Sequence, residues 1–291
     1  MKIAIHGRTF PDVAQPYMQA LFDELLSRKV DVWLSETFLE FLRNKGVRHH
    51  AIHTYAHPSH LSGVRLMVSM GGDGTLLEAV SQVGARQIPV IGVNVGRLGF
   101  LATVSPSQIP DMVAALDSGN YRIGERTLVY IEYEHDLFEG IRFGLNDVTI
   151  TKTDSSSMIT VHAYLNGSFL NSYWADGLIV ATPTGSTGYS LSCGGPVLVP
   201  NSRSFILTPV SPHNLNVRPL ILEDSSVLRF EVRSRSGNFM VSLESRSCVV
   251  DETTTLTVRK APFVARLIKM PEDNFFDTLR SKLSWGLDMR N

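Results

Sequence analysis

The sequence predicts an α/β domain with a parallel sheet, a β-sandwich-like second domain and a helical C-terminal segment. Short apolar runs alternate with helical periodicity in the first part of the chain, and short alternating strands follow from about Thr127. A chain of 291 residues also exceeds the usual size of one domain. We expect the α/β domain over 1–125, the β-rich domain over 126–270, and the helical segment over 271–291, returning to the N-terminal domain.

The N-terminal pattern is typical of βαβ units. Continuous apolar runs of strand length predict buried parallel strands, and apolar residues at helical spacing predict the helices between them. The expected strands are Ile3–Ile5, Val30–Leu34, Leu66–Met70 and Ile88–Val93. The expected helices are 18–26, Thr37–Lys45, Thr75–Val83 and Pro106–Leu116, with Gly46 ending the second of them.

The second part of the chain lacks helical periodicity until its end. Many short strands separated by turn residues predict a sandwich-like domain, and Asn166-Gly167 predicts a type I′ hairpin turn. The expected strands are Leu128–Tyr133, Ile141–Thr151, Ile159–Leu165, Phe169–Tyr173, Leu178–Ala181, Val227–Val232, Phe239–Leu243 and Thr254–Val258. An apolar stripe of Phe275, Phe276, Leu279 and Leu283 predicts the last helix.

Composition excludes several classes of protein. Hydrophobic residues make up 43% and charged residues 19%, which indicates a folded globular protein rather than a disordered one. A net charge of −1 provides no global positive field for nucleic acid or an anionic membrane. Two cysteines are too few for a disulfide framework, and neither a signal peptide nor a membrane span is evident. We therefore expect a cytoplasmic enzyme with no nucleic-acid or membrane partner.

The segment Gly71-Gly72-Asp73-Gly74-Thr75 lies between a predicted strand and a predicted helix. Its three glycines allow positive φ and close approach of a ligand, and a helix N-terminus favours phosphate. These features predict phosphate contacts from Gly71, Gly72, Gly74 and Thr75. The alternative is a tight turn in which Asp73 only helps to cap the helix.

Two well-known phosphate-binding motifs are absent from this region. The chain contains no G-x-x-x-x-G-K-[ST] string, which excludes a P-loop. A Rossmann fingerprint would need Gly or Ala at the position of Leu77 and an acid about 20 residues further on, but no acid occurs between Glu78 and Asp111.

A second glycine- and hydroxyl-rich segment runs from Trp174 to Pro196. The strand Leu178–Ala181 leads into a loop that offers donors and acceptors for sugar hydroxyls, base edges and phosphate. A serine hydrolase would need G-x-S-x-G, and the last glycine is missing around Ser190. The alternative is a Gly/Ser-rich surface loop, but the absence of charge over this length favours the lining of a pocket.

These two elements and four further strings resemble the NAD kinase family over nearly the whole chain. The first element is moderately specific, because other kinases share GGDG, and the string Asp176 to Tyr189 is highly specific. The further matches are Gly96 to Phe100, Asn146-Asp147, Pro212 to Pro219 and Phe275 to Gly286.

The resemblance implies a kinase that phosphorylates the 2′-hydroxyl of the adenosine ribose of NAD, with ATP as donor and Mg²⁺ or another divalent cation bound to it. Asp73 would be the catalytic base, and no residue is assigned as a metal ligand. Asn146 would bind the adenine edge, Asp147 the ribose hydroxyls, Phe100 the adenine face and Asp176 the nicotinamide half. The other residues implied for substrate binding are Gly74, Thr187, Gly188, Tyr189, Ser190, Leu191 and Ser192.

The resemblance also implies partners: NAD, ATP, and further copies of the chain in a homodimer or homotetramer that shares its sites. It leaves open the donor, ATP or polyphosphate, the preference between NAD and NADH, and feedback by NADP. Two other functions are compatible with GGDG: a kinase for a lipid or a sugar phosphate, and a non-catalytic NADP-binding sensor. The hydroxyl-rich loop favours a polar substrate, and the presence of Asp73 favours catalysis.

The sequence departs from the family pattern at four places. Gly188 stands for the usual alanine, Asp147 for the commoner glutamate, and Trp174 where an arginine is common. The late Asp-Gly-Gln turn is replaced by Glu244-Ser245-Arg246, which leaves the contacts of that turn open.

Histidines and arginines outside these motifs have simpler explanations. We expect the histidines between His49 and His60 to lie on an exposed, irregular connection, because their spacing fits no zinc pattern. His213 is expected to make a structural hydrogen bond. The arginines expected on solvated strand faces are Arg229, Arg233, Arg235 and Arg246.

Overall fold

The computed structural model describes residues 1–50, 53–96, 99–154 and 157–286. It divides the chain into two compact units. The first unit comprises Met1–Glu125 and the segment from Ala265 onward, and the second comprises Arg126–Val264. The chain thus returns to the first unit at Ala265, because the last strand, described below, joins the sheet of that unit.

The strands are β1 (Lys2–Gly7), β2 (Asp31–Ser35), β3 (His53–Tyr55), β4 (Leu66–Gly71), β5 (Val90–Asn94), β6 (Arg122–Arg126), β7 (Val129–Glu132), β8 (Phe143–Gly144), β9 (Asp147–Lys152), β10 (Ile159–Leu165), β11 (Ser168–Ala175), β12 (Gly177–Ala181), β13 (Ser204–Val210), β14 (Leu220–Glu223), β15 (Leu228–Arg233), β16 (Asn238–Leu243), β17 (Arg246–Asp251), β18 (Leu256–Lys260) and β19 (Ala265–Lys269). The α-helices are α1 (Gln15–Ser27), α2 (Glu36–Asn44), α3 (Asp73–Val83), α4 (Ile109–Ser118), α5 (Tyr189–Ser192) and α6 (Phe275–Leu283).

The first unit contains a seven-stranded sheet in the order β3-β2-β1-β4-β5-β19-β6. Neighbours from β3 to β19 are parallel, and β4 is buried along its whole length. This burial explains the continuous apolar runs of its sequence, since helices cover the faces of a parallel sheet. One core contains residues of β1, β2, β4 and β5 together with α1, α2 and α4.

The expected elements of this unit are confirmed, with α1–α4 and β1, β2, β4 and β5 present within a few residues of their predicted bounds. The expected irregular connection between His49 and His60 is partly wrong, because His53–Tyr55 forms the edge strand β3. There the His53 ring stacks on Trp33 with centroids 4.6 Å apart. Three residues are too short for an alternating pattern to be visible in the sequence.

The second unit consists of two six-stranded antiparallel sheets. Their orders are β11-β10-β15-β18-β7-β8 and β14-β13-β12-β9-β16-β17. Residues of both sheets, among them Val129, Ile131, Val148 and Ile150, share one hydrophobic core. The expected sandwich-like domain is therefore confirmed, and so is the Asn166-Gly167 turn, in which both residues have positive φ (50° and 85°).

One expected strand is wrong in a way that matters for the site. The run Ile141–Thr151 is not continuous: β8 belongs to one sheet, β9 to the other, and the chain crosses between them at Leu145 and Asn146. The alternation of apolar residues shifts phase between Leu145 and Val148, so the sequence carries a mark of the break that the predicted continuous strand ignored.

The C-terminal segment packs through fewer residues than its sequence predicts. Asn274 caps α6 by accepting a hydrogen bond from Phe276 N, and Leu279 is buried. Phe276 and Leu283 are exposed, so the expected apolar stripe is only partly correct. Among the helices of the described residues, none has the length and apolar character needed to span a membrane.

Candidate functional site

The GGDGT segment joins β4 to α3, with Gly72 as the N-cap residue of the helix. None of Gly71, Gly72 and Gly74 has positive φ, so that part of the expectation is wrong. A Cβ on Gly71 would lie 2.1 Å from Thr75 Oγ1, whereas one on Gly72 or Gly74 would meet nothing within 4 Å. Gly71 is thus required by packing against the buried Thr75, and the other two leave the helix N-terminus open to a ligand.

Asp73 accepts three backbone hydrogen bonds from a neighbouring loop. Phe100 N donates to Oδ2 over 2.8 Å, and Leu101 N and Ala102 N donate to Oδ1 over 3.0 and 3.1 Å. The carboxylate therefore organises this loop rather than capping α3. A carboxylate has about four lone-pair sites, so one on Oδ2 is left for a further donor.

Gly99 gives the Asp73 carboxylate the room it occupies. A Cβ on Gly99 would lie 1.8 Å from Asp73 Oδ1. Phe100 is half-buried next to it. Arg97 and Leu98, within the expected string Gly96 to Phe100, lie outside the described residues.

Sequence reasoning missed a charged cluster beside the GGDGT segment. Arg8 follows β1 and donates from Nε to Glu78 Oε2 over 2.7 Å, and His6 Nε2 lies 3.3 Å from the same oxygen. Burial alone would raise the pKa of Glu78, but the hydrogen bonds from His6 and Arg8 outweigh it and lower this pKa. The Arg8 side chain is 67% exposed, so its charge is available to solvent.

Asn146 lies in the crossing between the two sheets of the second unit, and Asp147 begins β9 directly after it. Thr182 N donates to Asn146 O over 2.8 Å, and the Thr182 hydroxyl donates to Leu145 O. Asn146 Oδ1 is buried and has no hydrogen-bond partner among the described residues. A buried amide oxygen without a partner is costly, which favours a ligand donor at this position.

Asp147 is 8% exposed and accepts a hydrogen bond from Thr149 Oγ1 over 3.3 Å. Burial raises the pKa of Asp147 to about 6, and the Thr149 bond opposes this only in part. A Cβ on Gly188 would lie 3.9 Å from Asn146 Nδ2 and 4.0 Å from Asp147 Oδ2. Asn146, Asp147 and Gly188 therefore lie close together.

The loop around Gly188 packs on the crossing segment. A Cβ on Gly185 would lie 2.1 Å from Asn146 O, so only glycine fits there. Thr187 and Leu191 are half-buried, and Tyr189 and Ser192 are exposed. Ser190 is fully buried and shares a hydrogen bond of 2.8 Å with Thr208 Oγ1, which favours support of the loop over direct ligand contact.

Glu244 is a second residue that sequence reasoning did not assign. Its Oε1 accepts hydrogen bonds from Leu145 N and Asn146 N over 2.6 and 2.9 Å. Burial raises the pKa of Glu244 to about 7; the two N–H groups and Arg246 oppose this, and the charge of Asp147 adds to it. The sequence marks Glu244 only by the replacement of the usual family turn with Glu244-Ser245-Arg246.

Asp176 lies between β11 and β12 and forms an ion pair with Lys152, with Nζ 2.7 Å from Oδ1. Nearby, the rings of Trp174 and His213 lie 4.2 Å apart, and His213 N donates to Trp174 O over 2.9 Å. Within the described residues, no group of three or more His, Cys, Asp or Glu side chains is placed to hold a metal ion.

We expect Gly99→Ala to lower stability and activity, because its methyl group overlaps the Asp73 carboxylate. Overpacking of this kind costs about 1–3 kcal/mol of unfolding free energy. Gly96→Ala is the matched control, since its Cβ would meet only Asn94 Oδ1 at 4.0 Å. Chemical denaturation of both variants measures the difference, and equal stability would contradict the steric role of Gly99.

The raised pKa of Glu244 predicts a pH dependence of stability. An acid whose pKa is higher in the folded protein binds more protons when folded, so its contribution to stability falls as pH rises from about 4.5 to about 7. Glu244→Gln removes this contribution. We expect the stability of the variant relative to the unsubstituted protein to increase over this pH range in denaturation experiments; a difference independent of pH would oppose this.

Comparison with known proteins gives a consistent result. The model of the ATP-NAD kinase N-terminal domain matches residues 11–121, and that of the ATP-NAD kinase C-terminal domain matches residues 145–270. The NAD kinase of Cytophaga hutchinsonii is 47% identical over 292 residues, with 100% of each chain covered.

Solved structures agree on the fold. Yeast NADH kinase complexed with NADH superposes with a TM-score of 0.87 at 24% identity, covering 100% of this chain and 89% of that chain. An NAD kinase from Archaeoglobus fulgidus in complex with ATP gives a TM-score of 0.75 at 24% identity, covering 97% and 99%. With the family models matching both parts of the chain and 47% identity over its full length, the chain belongs to the NAD kinase family.

Proposed function

We propose that this member of the NAD kinase family transfers the γ-phosphoryl group of ATP to the 2′-hydroxyl of the adenosine ribose of NAD, forming NADP. The observation that carries the proposal is the full-length match to an NAD kinase with Asp73 fixed at the open N-terminus of α3. A carboxylate held at this position can orient a hydroxyl nucleophile beside a bound triphosphate.

The proposed step uses the remaining lone pair of Asp73 Oδ2. The 2′-hydroxyl donates a hydrogen bond to this oxygen, and its own oxygen attacks the γ-phosphorus as the bond to the bridging oxygen of ADP breaks. The proton passes to Asp73, and ADP leaves. The open amides beside Gly72 and Gly74 would receive phosphate oxygens, and Mg²⁺ would arrive bound to ATP and neutralise part of its charge.

The residues that we propose to bind NAD, the phosphoryl acceptor, lie in the second unit. The unpartnered Asn146 Oδ1 suits the amino group of adenine, and the buried Asp147 carboxylate suits ribose hydroxyls. Gly188 leaves space beside both side chains. Asp176 would have to exchange its ion pair with Lys152 for a contact with the nicotinamide half.

The remaining details of the proposal rest on the resemblance of the sequence to its family. We expect the enzyme to act in the cytoplasm as a homodimer or homotetramer with shared sites. We also expect ATP rather than polyphosphate to be the donor, in keeping with the ATP complex of the Archaeoglobus fulgidus relative.

We expect the purified protein to form NADP from NAD, ATP and Mg²⁺, and Asp73→Asn to reduce kcat by about 10²- to 10⁴-fold, the range for loss of a general base. NAD affinity should stay within about one order of magnitude, because the adenosine contacts in this proposal lie on other residues. Enzymatic assay of NADP and calorimetric titration with NAD measure the two effects.

The design must separate the base from the loop-organising role of Asp73, because the asparagine amide would face the N–H groups of Leu101 or Phe100. Asp277→Asn, on an exposed ion pair of α6, is the matched control. Chemical denaturation of both variants measures how much stability is lost with the hydrogen bonds between Asp73 and the loop, independently of the effect on turnover. Near-normal turnover by Asp73→Asn would remove it from the base role, and tight NADP binding without turnover by the unsubstituted protein would indicate a sensor.

Among the described residues of the first unit, Arg8 is a cation whose position suits the triphosphate. It follows β1, whose Gly7 pairs with Met70, one residue before the GGDGT segment. This pair of strands is where the order of the parallel sheet reverses, and ligands of open α/β sheets bind at such points. A guanidinium also matches the geometry of phosphate oxygens.

We expect Arg8→Ala to raise KM for ATP by about 10- to 100-fold, the loss expected for charge-assisted hydrogen bonds, and to change KM for NAD by less than about twofold. Arg65→Ala is the control, because Arg65 is exposed at the opposite end of β4. Steady-state kinetics with each substrate varied separately makes the test. An equal increase in both KM values would speak against a phosphate contact.

A further inference from the structure

The crossing between the two sheets creates a local problem for the backbone of the second unit. Leu145 and Asn146 lie between β8 and β9 and belong to neither sheet, so their N–H groups have no ladder partner. Buried N–H groups without acceptors would cost stability and order. Asn146 is also the residue whose side chain carries the unpartnered Oδ1. Its position therefore depends on what holds its backbone.

The Glu244 side chain supplies the missing acceptor. One oxygen, Oε1, takes both N–H groups, over 2.6 Å from Leu145 and 2.9 Å from Asn146. Glu244 N in turn donates to Asp147 O over 3.3 Å. Gly144 makes room for this arrangement, since a Cβ there would lie 3.2 Å from both Cγ and Cδ of Glu244.

The turn that carries Glu244 is unusual for this residue type. Glu244 and Ser245 connect β16 and β17, and Glu244 has φ of 57°. The left-handed region is unfavourable for a residue with a long side chain, and glycine, asparagine and aspartate are the usual occupants of such turns. Strain of this kind persists where the surrounding contacts hold it, here the two hydrogen bonds to the crossing segment.

Two groups of opposite charge face the Glu244 carboxyl. Asp147 raises its pKa and Arg246 lowers it, while the N–H groups of Leu145 and Asn146 favour the ionised form. Burial raises the pKa of the Tyr189 hydroxyl above its usual value of 10.0, and the charge of Asp147 adds to this increase. Tyr189 therefore does not ionise near neutral pH. Asp147 and Glu244 are therefore the two groups of this cluster that change charge near neutral pH.

We propose that Glu244 is a positioning residue for the acceptor nucleotide: it fixes the backbone of Leu145 and Asn146, and through it the side chains of Asn146 and Asp147 that receive adenosine. The inference rests on the proposed function, because it takes NAD as the ligand of Asn146 and Asp147. Glu244 itself contacts no substrate in this role.

The first test compares Glu244→Ala with Glu244→Gln. Alanine leaves both N–H groups without an acceptor, and we expect the Kd and KM for NAD to rise by about 10- to 100-fold. Glutamine retains an acceptor oxygen without charge, and we expect a rise of about 3- to 10-fold. KM for ATP should change by less than about twofold in both variants. Equal increases for both substrates would overturn the proposal.

The second test is the pH profile of kcat/KM for NAD, which a purely structural role would not move. Protonation of Glu244 weakens its hold on the two N–H groups, so activity should fall as pH drops through about 7, and Glu244→Gln should leave only the lower transition near 6 from Asp147. An acid limb at the same pH in both proteins would overturn the proposal, and this result can be obtained even if the alanine variant fails to fold.

Glu139→Ala is the matched control, because Glu139 is also a glutamate with positive φ (52°) in a turn but is exposed. It should leave NAD binding unchanged. If the proposed function itself is wrong, the unsubstituted protein will form no NADP, and this result is distinct from any effect of the Glu244 variants. Unchanged calorimetric NAD affinity in Glu244→Ala, with NADP formed normally by the unsubstituted protein, would refute the positioning role alone.

Discussion

The hydrogen bonds from Phe100, Leu101 and Ala102 to the Asp73 carboxylate fix the position of the proposed base within the first unit. They join the first turn of α3 to the loop after β5, and they set which oxygen of Asp73 still has a free lone pair. The residue therefore has a structural role beside the chemical role proposed for it. Gly99 is part of the same constraint, since any side chain there would displace the carboxylate.

The second unit follows the same physical rule with different residues. A chain segment that leaves one sheet for another has unpaired N–H groups, and a carboxylate from a distant turn accepts them. In both units an acidic side chain orders the backbone next to groups that we propose to bind a ligand. In the second unit, burial additionally brings two carboxyl groups to titrate near neutral pH, so the NAD binding proposed there would be linked to their protonation.

Local features of this fold were predictable from the sequence, and distant ones were not. The β4-GGDGT-α3 junction was correct because the apolar run, the glycines and the helical spacing are contiguous. Only the positive φ expected of the glycines was wrong: packing against Thr75 requires Gly71, and Gly72 and Gly74 leave open space at the helix N-terminus. The crossing at Leu145 and Asn146 was missed although the apolar alternation shifts phase there, because such a shift also fits a bulge in one continuous strand. Glu244 lies 99 and 98 residues from its partners, a separation that no local pattern reveals.

Strand β19 has a consequence for biosynthesis. It lies between β5 and β6 in the sheet of the first unit, yet it follows the whole second unit in the chain. The second unit is one continuous stretch and can acquire its structure while the polypeptide is still being made. The first unit cannot close its sheet until the ribosome has added the residues after Val264. The half of the molecule that is translated first is therefore the one completed last, and until then the edge of β5 is open to pairing with other chains.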